Sequence, residues 1–184
     1  HLHNMVDYLT SEKPVKLVSM QNNYGNFEGI VDNVTCLAEY SNNMSVSFWY
    51  GKTALGNSNG LRVRVFGNEG SIEWFQLHPE EIVYSDNKGN RKIIDKSSSG
   101  LVIASQDRYA RFKAGHPAGF IEAFANYYCD IATYLNKHLY EKKHVTEAVF
   151  SVFDAYASLL LTNGINNSHI EKSWITIKNE FNCE

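Results

Sequence analysis

Runs of strict two-residue alternation between positions 34 and 75 limit the folds open to this chain more than any other feature. Val34, Cys36, Ala38 and Tyr40 alternate with Thr35, Leu37 and Glu39. After the turn Ser41-Asn42-Asn43, Met44, Val46, Phe48 and Tyr50 alternate with Ser45, Ser47 and Trp49. Successive side chains of an extended chain point to opposite faces, so each run presents one wholly apolar face. The short polar breaks between runs read as hairpin turns. The pattern recurs in Leu61, Val63 and Val65, turns through Gly67 to Gly70, and resumes at Ile72 and Trp74. Shorter strand signals at 16–21, 81–84, 91–95 and 174–177 extend the set. Six or seven strands in sequence, followed by two long helices, predict an α+β domain. Its basis is a large, mostly antiparallel (mixed) sheet with helices packed on one face. Trp49, Phe66 and Phe75 fall on the less apolar face, which is expected to pack on another subunit.

Residues 111–130, RFKAGHPAGFIEAFANYYCD, join a cationic glycine-bearing loop to an amphipathic helix. Phe120, Phe124, Tyr127, Ile131 and Leu135 recur at helical spacing, which predicts a buried apolar stripe. Gly115 permits a sharp turn, and Pro117 suits the first helical turn, where its missing N–H costs nothing. A second helix is predicted over 146–163, with Val149, Val152, Phe153, Tyr156, Leu159 and Leu160 inward and Gly164 as its stop. Residues 96–108 read as a flexible loop and 138–144 as a charged turn. Residues 1–9 read as a helix without a capping residue, as though its first turn were cut away. His3 and Asp7 share a face of that helix which is expected to be solvated.

At 184 residues and 43% hydrophobic content, the chain is expected to form one domain over 1–184. A net charge of −3 without a long basic run gives no pull toward nucleic acid. No apolar run reaches the ~20 residues needed to cross a bilayer, and the start lacks a signal core, so a cytoplasmic protein is expected. Cys36, Cys129 and Cys183 are too far apart for a zinc site, and Cys36 and Cys129 read as ordinary buried thiols. His3 and Asp7 have no third ligand nearby, so no metal is expected. No G-x-G-x-x-G or P-loop pattern occurs, and Gly67 with Gly70 is explained by a β-turn. No cofactor-binding residue is therefore assigned within this chain.

The run Arg111, Gly115-His116-Pro117, Gly119-Phe120, Glu122-Ala123-Phe124-Ala125-Asn126 and Tyr128 resembles a signature of the glucose-fructose oxidoreductase / inositol dehydrogenase / MocA family, in its C-terminal domain. LRVRVFGNEGSIEW, residues 61–74, is similar to a hairpin of that family, and HLHNMVDYLTSEKPVKLVS, residues 1–19, to its first C-terminal-domain helix. The resemblance implies a glyceraldehyde-3-phosphate-dehydrogenase-like C-terminal domain whose Rossmann half lies upstream. It implies a parent enzyme that uses NAD or NADP on a sugar, sugar derivative or nucleotide sugar, and that forms a homo-oligomer through the sheet face.

By the same resemblance His1 falls on the family's catalytic histidine and Asn4 on a polar position facing the sugar. The family's partner aspartate would precede His1, and its catalytic lysine belongs to the upstream half; Glu12-Lys13-Pro14 repeats that motif's letters in a different place, where Lys13 reads as a solvated turn residue. The implied chemistry is hydride transfer from a sugar carbon, with the hydroxyl proton leaving to a base. An imidazole suits that work near neutrality. Arg111 and His116 are candidates for binding hydroxyls, a carboxylate or a phosphate, because a guanidinium is a fixed fork of donors and a helix N-terminus favours negative charge. His116 could equally hold its own loop by a backbone hydrogen bond, and Asn126 could reach the site or satisfy a buried group. The rival to a substrate domain, inactive alone, is a non-catalytic ligand-binding or oligomerisation module of the same fold.

Overall fold

The alternation is realised as two antiparallel ladders, each of four strands. The structure is a computed structural model that describes residues 1–142 and 149–178. The described elements are helix α1 (Leu2–Thr10), strands β1 (Pro14–Asn22), β2 (Asn33–Tyr40), β3 (Ser45–Gly51), β4 (Arg62–Phe66), β5 (Gly70–Phe75), β6 (Ile82–Asp86) and β7 (Arg91–Ile94), helices α2 (Gly119–Asn136) and α3 (Val152–Glu171), and strand β8 (Ile175–Thr176). The α+β class stands. The strands hydrogen-bond as β3-β2-β1-β8 and β4-β5-β6-β7, where the sequence reading runs them into one sheet. The chain clusters into two compact units, one formed by 1–55 with 150–184 and the other by 56–149.

In the first unit the apolar face of β2 is buried at every second residue, Val34, Cys36, Ala38 and Tyr40. Leu17 of β1 and Phe48 of β3 join them, and Leu161 and Ile165 of α3 with Ile177 complete the core. Leu17 is fully buried, so truncating it would cost about 2–5 kcal/mol. The exposed Lys16–Glu39 ion pair beside it, at 3.1 Å, is worth about 0–1 kcal/mol. Packing, not surface charge, holds this unit.

β8 covers only Lys16 and Leu17 on the far edge of β1. Beyond them the amides of Ser19 and Gln21, two apart and so on one edge, would be unpaired. α3 supplies the partners: Ser19 N–H donates to Ser168 Oγ at 2.9 Å and Gln21 N–H to His169 Nδ1 at 3.0 Å. The Ser19 hydroxyl donates to the carbonyl of Ile165 at 2.5 Å, and Ser168, wholly buried, donates to the carbonyl of Ser173 at 2.7 Å. This docking needs a close approach. A Cβ added at Gly164 would lie 2.3 Å from Ile177 Cδ1 and 3.4 Å from Leu17 Cδ2.

Gly164 is therefore not the stop predicted from the sequence. It lies inside α3, which begins at a capping box of Ser151 and Asp154 and ends at Lys172 in the left-handed region. The buried side of α3 is Leu161, Gly164, Ile165 and Ser168, while Val152, Phe153 and Leu159 are exposed. The predicted start near Thr146 lies outside the described residues. α2 also turns opposite to expectation: Phe120, Phe124, Tyr127 and Leu135 are exposed, and its buried residues are Glu122 and Asn126. Cys129, expected to be buried, is exposed. Cys36 is buried as expected, and desolvation pushes its thiol up to about 11, which keeps it protonated and unreactive.

Gly164→Ala should lower the free energy of unfolding by about 1–3 kcal/mol, the usual cost of overpacking. Alanine's better helix propensity, about 1 kcal/mol, offsets only part of it. Urea denaturation followed by circular dichroism measures this, and a variant as stable as the parent would show that α3 and β1 do not approach so closely.

Candidate functional site

The sequence-predicted site residues divide between the two units: His1 and Asn4 belong to the first, Arg111, His116 and Asn126 to the second.

In the first unit, His1 occupies the N-cap position of α1, and its carbonyl accepts from the Met5 amide at 2.9 Å. Its side chain makes no capping bond. Asn4 is half-buried, and its Oδ1 accepts from the Ser158 hydroxyl of α3 at 2.8 Å, which fixes the amide and leaves its nitrogen to donate elsewhere. The residue α1 buries is His3, at 6% exposure, so the solvated face expected for His3 and Asp7 is not found. Asp7 instead pairs with Lys13 at 2.5 Å, and Lys13 stays exposed to solvent. Among the described residues His3 Nδ1 has no hydrogen-bond partner. Loss of solvent lowers its pKa from the ordinary value, opposed by Asp7 and Asp154 and assisted by Lys13.

In the second unit, Glu122, Asn126 and Asp130 stand four apart and so form one stripe of α2. The connecting segment 96–118 fastens to this stripe with three cationic side chains. Lys96 Nζ lies 3.4 Å from Glu122 Oε2 and 3.7 Å from Glu80 Oε2. Arg111 Nη1 donates to Asn126 Oδ1 at 2.6 Å, and Arg108 grips Asp130 with both terminal nitrogens at 3.0 and 2.8 Å. The bonds to Asp130 raise the pKa of Arg108 above its usual value. The aromatic stripe of α2 is on the opposite side of the helix, which is why it stays exposed. Residues 96–108, predicted to be a flexible loop, are thus anchored at both ends.

Glu80 Oε1 also accepts from the amides of Ala118 and Gly119 at 3.2 and 3.1 Å. It caps the first turn of α2 from outside the helix and fills the place where a helix N-terminus attracts an anion. His116 sits in the turn made by Gly115, whose φ of 85° suits glycine, and both its amide (3.1 Å) and its ring Nδ1 (3.3 Å) meet the carbonyl of Lys113. A carbonyl only accepts, so Nδ1 is the donor in that contact. The sequence offered Arg111, His116 and Asn126 as candidates and did not single out Glu80, Lys96, Arg108 and Glu122, which the structure joins to α2. The four-residue spacing of Glu122, Asn126 and Asp130 was the available signal.

Among the described residues no group of three metal-ligating side chains is close enough to hold an ion, and no helix is long and apolar enough to cross a membrane.

Residues 1–73 match the family described as the GFO/IDH/MocA C-terminal domain. They belong to a domain of that family. Beyond residue 73 the solved structures show likeness of fold alone. The uncharacterized oxidoreductase YfiI of Bacillus subtilis is 23% identical over 184 residues, covering 97% of this chain and 46% of that protein. An oxidoreductase from Pseudomonas syringae superposes with a TM-score of 0.83 at 20% identity, over 96% of this chain and 49% of its own. An inositol dehydrogenase homolog from Azotobacter vinelandii, in complex with NADH and myo-inositol, gives 0.84 at 17% identity, over 96% and 48%. The chain spans about half the length of these relatives.

Two outcomes test the geometry. Unfolded His3 takes up its proton near about 6.5, whereas the folded imidazole resists protonation to lower pH. The unfolded state then binds more protons, so stability is kept above that value and lost as pH falls below it. His3→Gln should flatten the dependence of unfolding free energy on pH between about 6.5 and 5, and an unchanged slope would assign it to other groups. Glu80→Ala should speed amide exchange at residues 118–120 and cost about 0.5–2 kcal/mol, as loss of a cap does; unaltered exchange would deny Glu80 that role.

Proposed function

We propose that this chain is the C-terminal substrate-binding and subunit-contact domain of an NAD(P)-dependent oxidoreductase that acts on a sugar, a sugar derivative or a nucleotide sugar. The observation that carries this reading is the family match over residues 1–73 within a fold that covers only about half of each relative. The relative in complex with NADH and myo-inositol adds the cofactor and substrate class. The chain has no glycine-rich dinucleotide turn, so the cofactor is assigned to a domain outside these 184 residues, and the chain alone is inactive.

In this reading the nicotinamide, when bound, accepts the hydride from the sugar carbon. The proton of that carbon's hydroxyl goes to a base as the C–O bond becomes a carbonyl, and His1 at the start of α1 is assigned that role or the orientation of the hydroxyl. Asn4, fixed by Ser158, donates its amide to the sugar. Within the second unit taken by itself, Arg111, held by Asn126, and His116 are assigned to substrate binding. The aromatic-bearing strand faces, with Trp49 in one unit and Phe66 and Phe75 in the other, are assigned to subunit contact, and the protein works in the cytoplasm as a homo-oligomer.

The test is a titration with NAD and NADP, following intrinsic fluorescence, of these 184 residues and of a form extended by the upstream gene sequence. The extended form should bind a dinucleotide and the shorter one should not. Tight binding by the short form, or none by either, would overturn the reading. Sedimentation of the same samples should give a dimer or larger species, and a strictly monomeric chain at high concentration would remove the subunit-contact role.

A further inference from the structure

Four cationic side chains lie between positions 96 and 113, namely Lys96, Arg108, Arg111 and Lys113. Their partners differ in charge. Lys96 faces the carboxylates of Glu80 and Glu122, and Arg108 is neutralised by a two-point grip on Asp130. Arg111 is held by a single bond, at 2.6 Å, to the neutral amide oxygen of Asn126, itself only 8% exposed. Among the described residues Arg111 makes no ion pair and no further side-chain bond. Asn126 therefore fixes the direction of the guanidinium without cancelling its charge. Lys113, two residues on, adds a second positive charge to the same loop.

A second observation limits what this charge can receive. The amides that open α2 already donate to Glu80, so that helix N-terminus is not available to an anion. A phosphate, with three acceptor oxygens, is best held where an arginine is joined by such amides. With Nη1 committed to Asn126, Arg111 keeps its Nε–Nη2 edge, a two-pronged fork matched to the two oxygens of one carboxylate.

We propose that Arg111 is a specificity residue for a substrate bearing a single carboxylate, so that the chain selects a sugar acid over a neutral or phosphorylated sugar. This deepens the substrate-binding reading above and rests on it. Asn126 is the positioning residue, and its neutrality is the feature that matters.

The experiment is calorimetric titration of the 184-residue chain at low ionic strength with D-glucuronate, D-glucose and inorganic phosphate. Glucuronate should bind about tenfold or more tightly than either competitor, in keeping with the doubled strength of a charge-assisted bond. Asn126→Asp keeps the tether while neutralising the guanidinium, so it should weaken glucuronate about tenfold yet leave the melting temperature unchanged or raised. Arg111→Gln, which can still donate to Asn126, should show the same loss without introducing a buried charge. Equal binding of glucuronate and glucose, tighter binding of phosphate, no binding of any probe, or undiminished glucuronate binding by Asn126→Asp would each overturn the proposal. None of these readouts involves a dinucleotide, so the proposal can fail while the oxidoreductase reading survives, and the reverse.

Discussion

The docking of α3 on the edge of β1 is the contact on which the first unit depends. A sheet edge with two free amides is a poor surface to bury, because each unpaired donor costs about 1–3 kcal/mol. Ser168 and His169 take those amides, and the hydroxyl of Ser19 returns a bond to α3 at Ile165. The bonds have good length only because Gly164 lets the helix come within reach of Leu17 and Ile177. Leu161 and Ile165 are carried into the core by the same approach. The short β8 follows from it, since the helix occupies the edge beyond Leu17 that a longer strand would use.

The second unit is organised by charge. Among its described residues the two most buried side chains are polar, Glu122 and Asn126. A carboxylate so placed is tolerable only with a partner, and Lys96 provides it. Once Lys96, Arg108 and Arg111 have seized one side of α2, the segment 96–118 is fixed along the helix, and the loop that carries His116 is fixed with it. The functional candidates of this unit thus owe their position to ion pairs and an amide, while those of the first unit owe theirs to apolar packing of α1 and α3.

The strands, the hairpin turns and the helical extent of α2 were legible in the sequence because each depends on neighbours along the chain. A period of two, a glycine pair at Gly67 and Gly70, and aromatic residues at helical spacing are local signals. So was the signature around Gly115, His116 and Pro117, whose turn is made by residues within it. The inward face of α2 was not legible. Hydrophobic periodicity names two faces, and the apolar one is buried by default; here the polar stripe met three cations from earlier in the chain and won. Gly164 misled for a related reason, since a glycine after an apolar run commonly stops a helix, and only β1 and Ile177 reveal it as a point of close approach.

The sequence by itself determined the α+β class, the strand count within one or two, and the residue types available for binding, because these follow from short-range periodicity and composition. Only the tertiary structure decided that the strands form two ladders, that His3 is buried, and that Arg111 is held by an amide while Arg108 is held by a carboxylate. Those outcomes depend on residues 15 to about 150 positions apart, and pattern along a chain carries no information about which distant group will arrive.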